Sequence, residues 1–208
     1  MVTMGKKRSP GYARISSATA MSLELSKGRF YREEKNRCAN LLVHYPEGCA
    51  ANCAYCGLAK RRTGAYDKKT FIMVQWPLFS MDAIIAAIND GPEYVRRTCI
   101  SMITNGRCRR DTIAMTQRLK KETTIPISIL TSPTILKVED LRAMKESGAD
   151  MIGIAIDLAT PGLFDLYRGK GVSGPHTWER YWQTVVDGIE IFGVRNVGIH
   201  LMVGMGET

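Results

Sequence analysis

Gly48-Cys49-Ala50-Ala51-Asn52-Cys53-Ala54-Tyr55-Cys56-Gly57 is the stretch that decides how this chain reads. It places three thiols at spacing C-x3-C-x2-C, with an aromatic residue directly before the third. The apolar run Leu41-Leu42-Val43-His44-Tyr45 precedes it and reads as a buried strand. Three soft ligands therefore sit on one tight loop at the end of a strand. Three thiolates on one loop hold a metal or an iron–sulfur cluster without closing it. Structural zinc takes four protein ligands, and a four-iron cubane usually takes four cysteines. A set of three leaves one iron open to a small molecule. The competing reading is a zinc knuckle completed by Cys38 or His44. Such sites come as two paired ligand knuckles, and the sequence shows no second one.

Outward from the loop, strand and helix signals alternate from residue 40 to the end. Val95 to Thr104, Ile125 to Leu130, Met151 to Ile156 and Val197 to Val203 read as further strands. Ser80, Asp111, Thr160-Pro161 and Thr177 open helices between them. Another helix runs through Leu141 and Met144 and stops at Gly148. Cys99 and Ser101 share one face of the second strand. Gly153, Ala155 and Asp157 share a face of the fourth, and two small residues before a carboxylate leave room for a ligand. Trp178, Trp182, Val185, Ile189 and Phe192 form an apolar stripe expected in the core.

This alternation means a parallel sheet with right-handed crossovers. The expected fold is α/β, a partial (β/α) TIM-type barrel with five βα units. A full barrel takes about 250 residues, so a piece of a longer chain is expected. Residues 1–37 read as an N-terminal extension, with a loose helix through Ile15, Ala18, Met21 and Leu25. Residues 38–208 read as the core domain. The long connection from Leu58 to Leu78, with Gly64 inside it, is expected to be functional. The cysteine loop and Asp157 both follow strands, at the barrel edge where chemistry collects.

The bulk composition narrows the class. With 208 residues, the chain is long enough for one large domain with a proper core. No apolar run approaches the ~18 residues of a membrane span. The basic N-terminus, Met1 to Arg8, lacks the apolar stretch of a secretory signal. Six cysteines, three of them clustered, do not form a disulfide framework, and a reducing cytoplasm is expected. The formal charge is +9. Basic groups at Lys60-Arg61-Arg62, Lys68-Lys69, Arg96-Arg97 and Arg107 to Arg110 read as a solvated surface or as a face for an acidic partner. No recognition motif supports nucleic acid.

The cysteine spacing, Tyr55 and the preceding strand resemble the radical S-adenosylmethionine (SAM) enzymes. The resemblance implies that Cys49, Cys53 and Cys56 ligate a [4Fe-4S] cluster whose open iron is chelated by SAM. It implies cleavage of SAM to a deoxyadenosyl radical, with the electron coming from a ferredoxin or flavodoxin type of donor. By the same resemblance Tyr55 presents its backbone to the adenine. Asn105 and Gly106 sit where the SAM amino group binds, although the usual Gly-Gly-Glu is absent. Asp157 resembles the ribose-binding aspartate, with Ala155 where biotin synthases carry an amide; its plainer reading is a turn or capping aspartate. Arg180 resembles the arginine that binds the SAM carboxylate through paired N–H donors, or is a surface arginine. Gly204-Met205-Gly206-Glu207-Thr208 looks like the glycine-rich strand end that packs on adenine, which brings in Gly204 and Glu207.

Within that superfamily the chain is most similar to the biotin synthase and lipoyl synthase group, which inserts sulfur at unactivated C–H bonds. Gly28-Arg29-Phe30-Tyr31, Trp76-Pro77 and Arg168-Gly169-Lys170-Gly171 through Trp182 look like the two-component lipoyl synthases. There, two related subunits share the sulfur insertions on a protein-bound octanoyl chain. This implies an acidic lipoyl carrier protein and a second radical SAM subunit as partners. The extra N-terminal cysteine motif of ordinary lipoyl synthase is missing. Cys38, Cys99 and Cys108 are the remaining thiols, either ligands of an auxiliary iron–sulfur cluster or buried spare thiols. Cys99 matches the place of one auxiliary-cluster cysteine in biotin synthase. The alternatives are another radical reaction in cofactor biosynthesis, such as a rearrangement or methylation, and a metal-binding module without catalysis. His200 reads as a core histidine or a substrate contact.

Overall fold

The computed structural model describes residues 7–59, 61–62 and 75–207. Lys60, Gly64 and Lys68-Lys69 lie outside the described residues, as do residues 1–6 and Thr208. Seven strands build the sheet: β1 (Tyr12–Ile15), β2 (Cys38–Val43), β3 (Leu78–Ser80), β4 (Arg97–Ser101), β5 (Ile127–Thr131), β6 (Met151–Asp157) and β7 (Val197–Leu201). Their order is β3-β1-β2-β4-β5-β6-β7. From β2 through β7 each successive neighbour in that order is parallel. The five parallel strands expected from the alternation are therefore present, in a sheet consistent with a partial (β/α) barrel.

The helices are α1 (Ser17–Ser22), α2 (Met81–Asn89), α3 (Cys108–Glu122), α4 (Val138–Glu146), α5 (Pro161–Tyr167) and α6 (Trp178–Phe192). Ser80 and Thr160 open α2 and α5 by accepting from the amides of Ala83 and Leu163, as side-chain N-caps do. Asp111 does not open α3. The helix begins earlier, and Asp111 lies buried in its first turn, accepting from the Tyr45 hydroxyl at 3.0 Å. A buried carboxylate needs such a donor, and the tyrosine comes from the end of β2.

The alternation along β6 sets the two faces of the sheet. Ile152, Ile154 and Ile156 are buried against the helices, while Gly153, Ala155 and Asp157 turn to the other face. Register aligns Asn40 with Cys99, Cys99 with Ser128, and Ala155 with His200 across that inner face. Small and polar side chains there leave a cavity instead of a filled core. Helix α6 packs closely on β6 through Gly188, where an added Cβ would come within 2.8 Å of Ile152 Cδ1.

Two expectations shift. The segment before residue 38 adds an antiparallel edge to the sheet: β1 pairs with both β2 and β3. Ile15 is thus a strand residue, and only Ser17–Ser22 is helical. On α6 the buried face is Tyr181, Thr184, Val185, Gly188 and Phe192. Trp182 and Ile189 are 39% and 37% exposed. The tryptophans border the core: Trp178 meets Phe164 edge-on at 5.7 Å, and Trp182 leans on Trp178. The close approach at Gly188 explains this, because bulky rings at the α6–β6 contact would force the elements apart.

Candidate active site

The cysteine loop is fixed from several sides. Gly48, at φ 79°, makes the turn that follows β2, a backbone conformation open to glycine. The Cys49 amide donates to the Leu58 carbonyl at 3.1 Å, and the Ala50 amide to Thr104 at 2.7 Å. Arg62 donates to the Ala54 carbonyl. On the opposite side the Ala54 amide donates to the Tyr167 carbonyl at 2.8 Å, and Asn52 Nδ2 donates to the Val172 carbonyl at 2.7 Å. Cys49 and Cys53 are buried and Cys56 is half-buried, and all three line a cavity of about 580 Å³ at the C-terminal ends of the parallel strands.

Burial pushes all three thiols up, Cys56 to about 12, and neighbouring Cys53 and Cys49 add to that rise. Thiols that raise one another in this way share one site. No three metal-ligating side chains among the described residues converge on a single ion position. Neither Cys38 nor His44 lines the cavity to complete a zinc set.

Asp157 ends β6 with φ 67°, a left-handed conformation that aspartate tolerates better than most residues. Its Oδ2 accepts from the Tyr55 hydroxyl at 2.8 Å and from Arg168 Nη1 at 2.7 Å. Asp157 itself lines the cavity. Arg168 is the residue that sequence reasoning missed as a site. It also donates to the carbonyls of Ala155 and Ile156, and its Nη2 donates to the Tyr181 hydroxyl at 3.0 Å. Its guanidinium stacks over the rings of Phe164 and Tyr181 at 5.2 and 4.7 Å. The loop that follows, Gly169-Lys170-Gly171-Val172-Ser173-Gly174, has the spelling of a phosphate cradle but another use. A Cβ on Gly174 would collide with the Arg168 carbonyl, and one on Gly171 would lie 2.8 Å from Leu166 Cα. The glycines let the chain fold tightly under Arg168.

His176 is buried behind this pair, with Nδ1 2.6 Å from Thr134 Oγ1 and 3.1 Å from the Tyr181 hydroxyl. Burial, and then the Arg168 charge, lower it to about 3. The folded state thus keeps this ring neutral where an unfolded histidine, with a pKa of about 6.5, takes a proton. Stability from this group is complete above that pH and is lost progressively as pH falls toward 3, by up to about 1.4 kcal/mol per unit. The melting temperature is expected to fall between about pH 7 and pH 5, and His176→Gln to flatten that slope, as thermal unfolding across buffers would register.

The other residues singled out by sequence divide. Asn105 Nδ2 donates to the Gly48 carbonyl at 3.3 Å, tying the end of β4 to the cysteine loop. Gly106 beside it faces open space. Arg180 donates to the carbonyls of Pro133 and Leu136 and buttresses the β5–α4 connection, away from the cavity lining. Glu207 folds back onto the amides of Gly204 and Met205, and this turn also lies off the lining. His200 lines the cavity opposite Ala155. Cys99 lines it too, and Cys38 lies close to it: burial and Cys99 push Cys38 up to about 12. Cys108 is buried off the cavity lining, 3.7 Å from Thr112 Oγ1 at the start of α3.

A family model, the Radical SAM superfamily, matches residues 43–208. Among solved structures, methylornithine synthase (PylB) is similar at 14% identity and a TM-score of 0.61, over 92% of this chain and 50% of that one. HydG, a maturase of the FeFe-hydrogenase, is similar at 15% identity and a TM-score of 0.57, over 82% of this chain and 36% of that one. HydG from Carboxydothermus hydrogenoformans gives 16% and 0.58, over 82% and 37%. The chain thus spans half the length of the first and little more than a third of the other two. At these identities the likeness is one of fold. No curated protein sequence matches the chain.

Proposed function

The chain belongs to the radical SAM superfamily, and from that premise we propose that it inserts sulfur into a protein-bound octanoyl chain, as one component of a lipoyl-forming pair. The superfamily's cofactors are a [4Fe-4S] cluster and SAM. In this reading Cys49, Cys53 and Cys56 hold the cluster, and the Asp157 carboxylate takes a ribose hydroxyl. Bound together, cluster and SAM supply the radical that removes a hydrogen atom from a C–H bond.

The observation that carries the substrate class is the charge of the cavity wall. Its carboxylate and guanidinium among the described residues, Asp157 and Arg168, are spent on each other. His176 is neutral, and apart from Asn40, His200 and the thiols the rest of the lining is apolar or hydroxyl-bearing, with Leu130, Ile199 and Met202 beside Ser101 and Thr131. A charged amino-acid substrate buried there would lack partners for its ends, whereas an alkyl chain needs none. The +9 charge supports an acidic carrier for that chain. Arg97 and Arg109 are engaged with Asp150 and Asp140 at the surface, and pairs of that kind are weak enough to exchange partners. Among the described residues one further thiol, Cys99, lines the cavity, with Cys38 near it on β2, so in this reading the second subunit supplies sulfur. No membrane-length apolar helix occurs among the described residues.

The test uses the reconstituted chain, SAM, a reductant and a carrier domain whose lysine bears a perdeuterated octanoyl group. Deuterium is expected in the 5′-deoxyadenosine formed. Formation of 5′-deoxyadenosine free of deuterium would overturn the octanoyl reading while leaving the radical chemistry intact.

A further inference from the structure

Arg168 is 5% exposed and is the sole arginine or lysine lining the cavity among the described residues. The segment that carries it is bolted to the cysteine loop on both sides of Cys53, through Ala54 to Tyr167 and Asn52 to Val172. Its Nη1 and Nη2 groups are committed to Asp157, to two carbonyls and to Tyr181. Its Nε is buried with no hydrogen-bond partner. A buried donor left unpartnered costs about 1–3 kcal/mol. The vacancy at Nε therefore asks for an acceptor, and the thiols of the loop are the soft acceptors beside it.

We propose that Arg168 is a positioning residue for the iron–sulfur cluster: its Nε–H points to the sulfur of Cys53, its charge holds the cluster's reduction potential up, and its other edge fixes Asp157 for the ribose of SAM. The inference rests on membership of the superfamily and is independent of the octanoyl substrate. Reduction adds an electron to an already anionic cluster. A fixed cation in a water-poor site favours that step, and charge, hydrogen bonding to sulfur and burial are the levers that set such potentials.

The experiment is anaerobic reconstitution of the full chain with iron and sulfide, without SAM, followed by redox titration read by electron paramagnetic resonance. Arg168→Gln is expected to bind iron like the parent and to shift the midpoint to more negative potential. The ratio of reduced to oxidised cluster at a fixed potential should fall about tenfold, equivalent to ~59 mV for one electron. Arg168→Lys keeps the charge but loses the Nε donor, and should fall between the two. Arg195→Gln removes an exposed charge in the turn between α6 and β7 and should leave the midpoint unmoved. An unchanged midpoint in Arg168→Gln overturns the proposal. If that variant does not fold, an unchanged midpoint in Arg168→Lys overturns it instead.

Discussion

Cys53→Ala is expected to abolish SAM cleavage, with 5′-deoxyadenosine falling below detection and cluster iron lost from the reconstituted protein. Cys53 sits at the centre of the loop, with its neighbours tied to the last residue of α5 and to the loop after it. Removing its sulfur leaves two thiolates on the loop for four irons, and the one other cysteine lining the cavity among the described residues, Cys99, stands on β4. Cys49→Ala and Cys56→Ala should behave alike for the same reason. The combined variant extends the test to Cys38, Cys99 and Cys108. Cys38 and Cys99 are a pair on β2 and β4, while Cys108 lies with Thr112 on α3. Two thiols cannot close an iron–sulfur cluster that takes four ligands. Iron is therefore expected to vanish in the triple variant, measured against protein after anaerobic reconstitution. A substantial residue of iron would show a second cluster in this chain and relocate the sulfur source from the partner subunit to the lumen.

These residues differ in how openly the sequence displays them. The cysteine loop is legible because metal chemistry writes itself in local spacing, and three thiols within eight positions survive any uncertainty about fold. The parallel strands are legible because each buries one face and repeats every second residue, as Ile152, Ile154 and Ile156 do. Asp157 is legible as a carboxylate closing such a run. Arg168 is not. It stands beside glycines and a lysine, a context that reads as exposed loop, and its burial comes from Asp157, Phe164 and Tyr181, which only the fold gathers. Arg180 shows the reverse case: its surroundings look like a carboxylate-binding segment, yet its guanidinium is spent on the carbonyls of Pro133 and Leu136. The edge strand β1 escapes because four residues carry too little periodicity to read, and its pairing partners lie at 41–43 and 78–80. On α6, hydrophobic spacing finds the apolar side but cannot show that Gly188 decides which part of it touches the sheet.

Asp157→Asn should weaken SAM binding by tenfold or more and lower stability together, and the coupling of the two is its signature. Asparagine is the right replacement because it also tolerates the left-handed backbone at φ 67°, so the change removes charge without adding strain. The Asp157–Arg168 pair has side-chain exposures of only 17% and 7%. Breaking a buried pair from one side typically costs about 3–5 kcal/mol, because the remaining charge stays buried. For a domain of this size each kcal/mol moves the melting temperature by roughly 2–4 °C, so a fall of about 6–20 °C is expected. The affinity loss follows from the charged hydrogen bond that the Asp157 carboxylate would offer a ribose hydroxyl, worth about 1.5–3 kcal/mol. Adding Arg168→Gln should restore part of the lost stability, since it removes the stranded cation, but should not restore SAM affinity. A double-mutant cycle on melting temperature measures this directly. Additive losses would mean that the two residues contribute separately. Partial recovery would mean that the ion pair is one unit, joining the aspartate at the end of β6 to the loop that carries the cysteines.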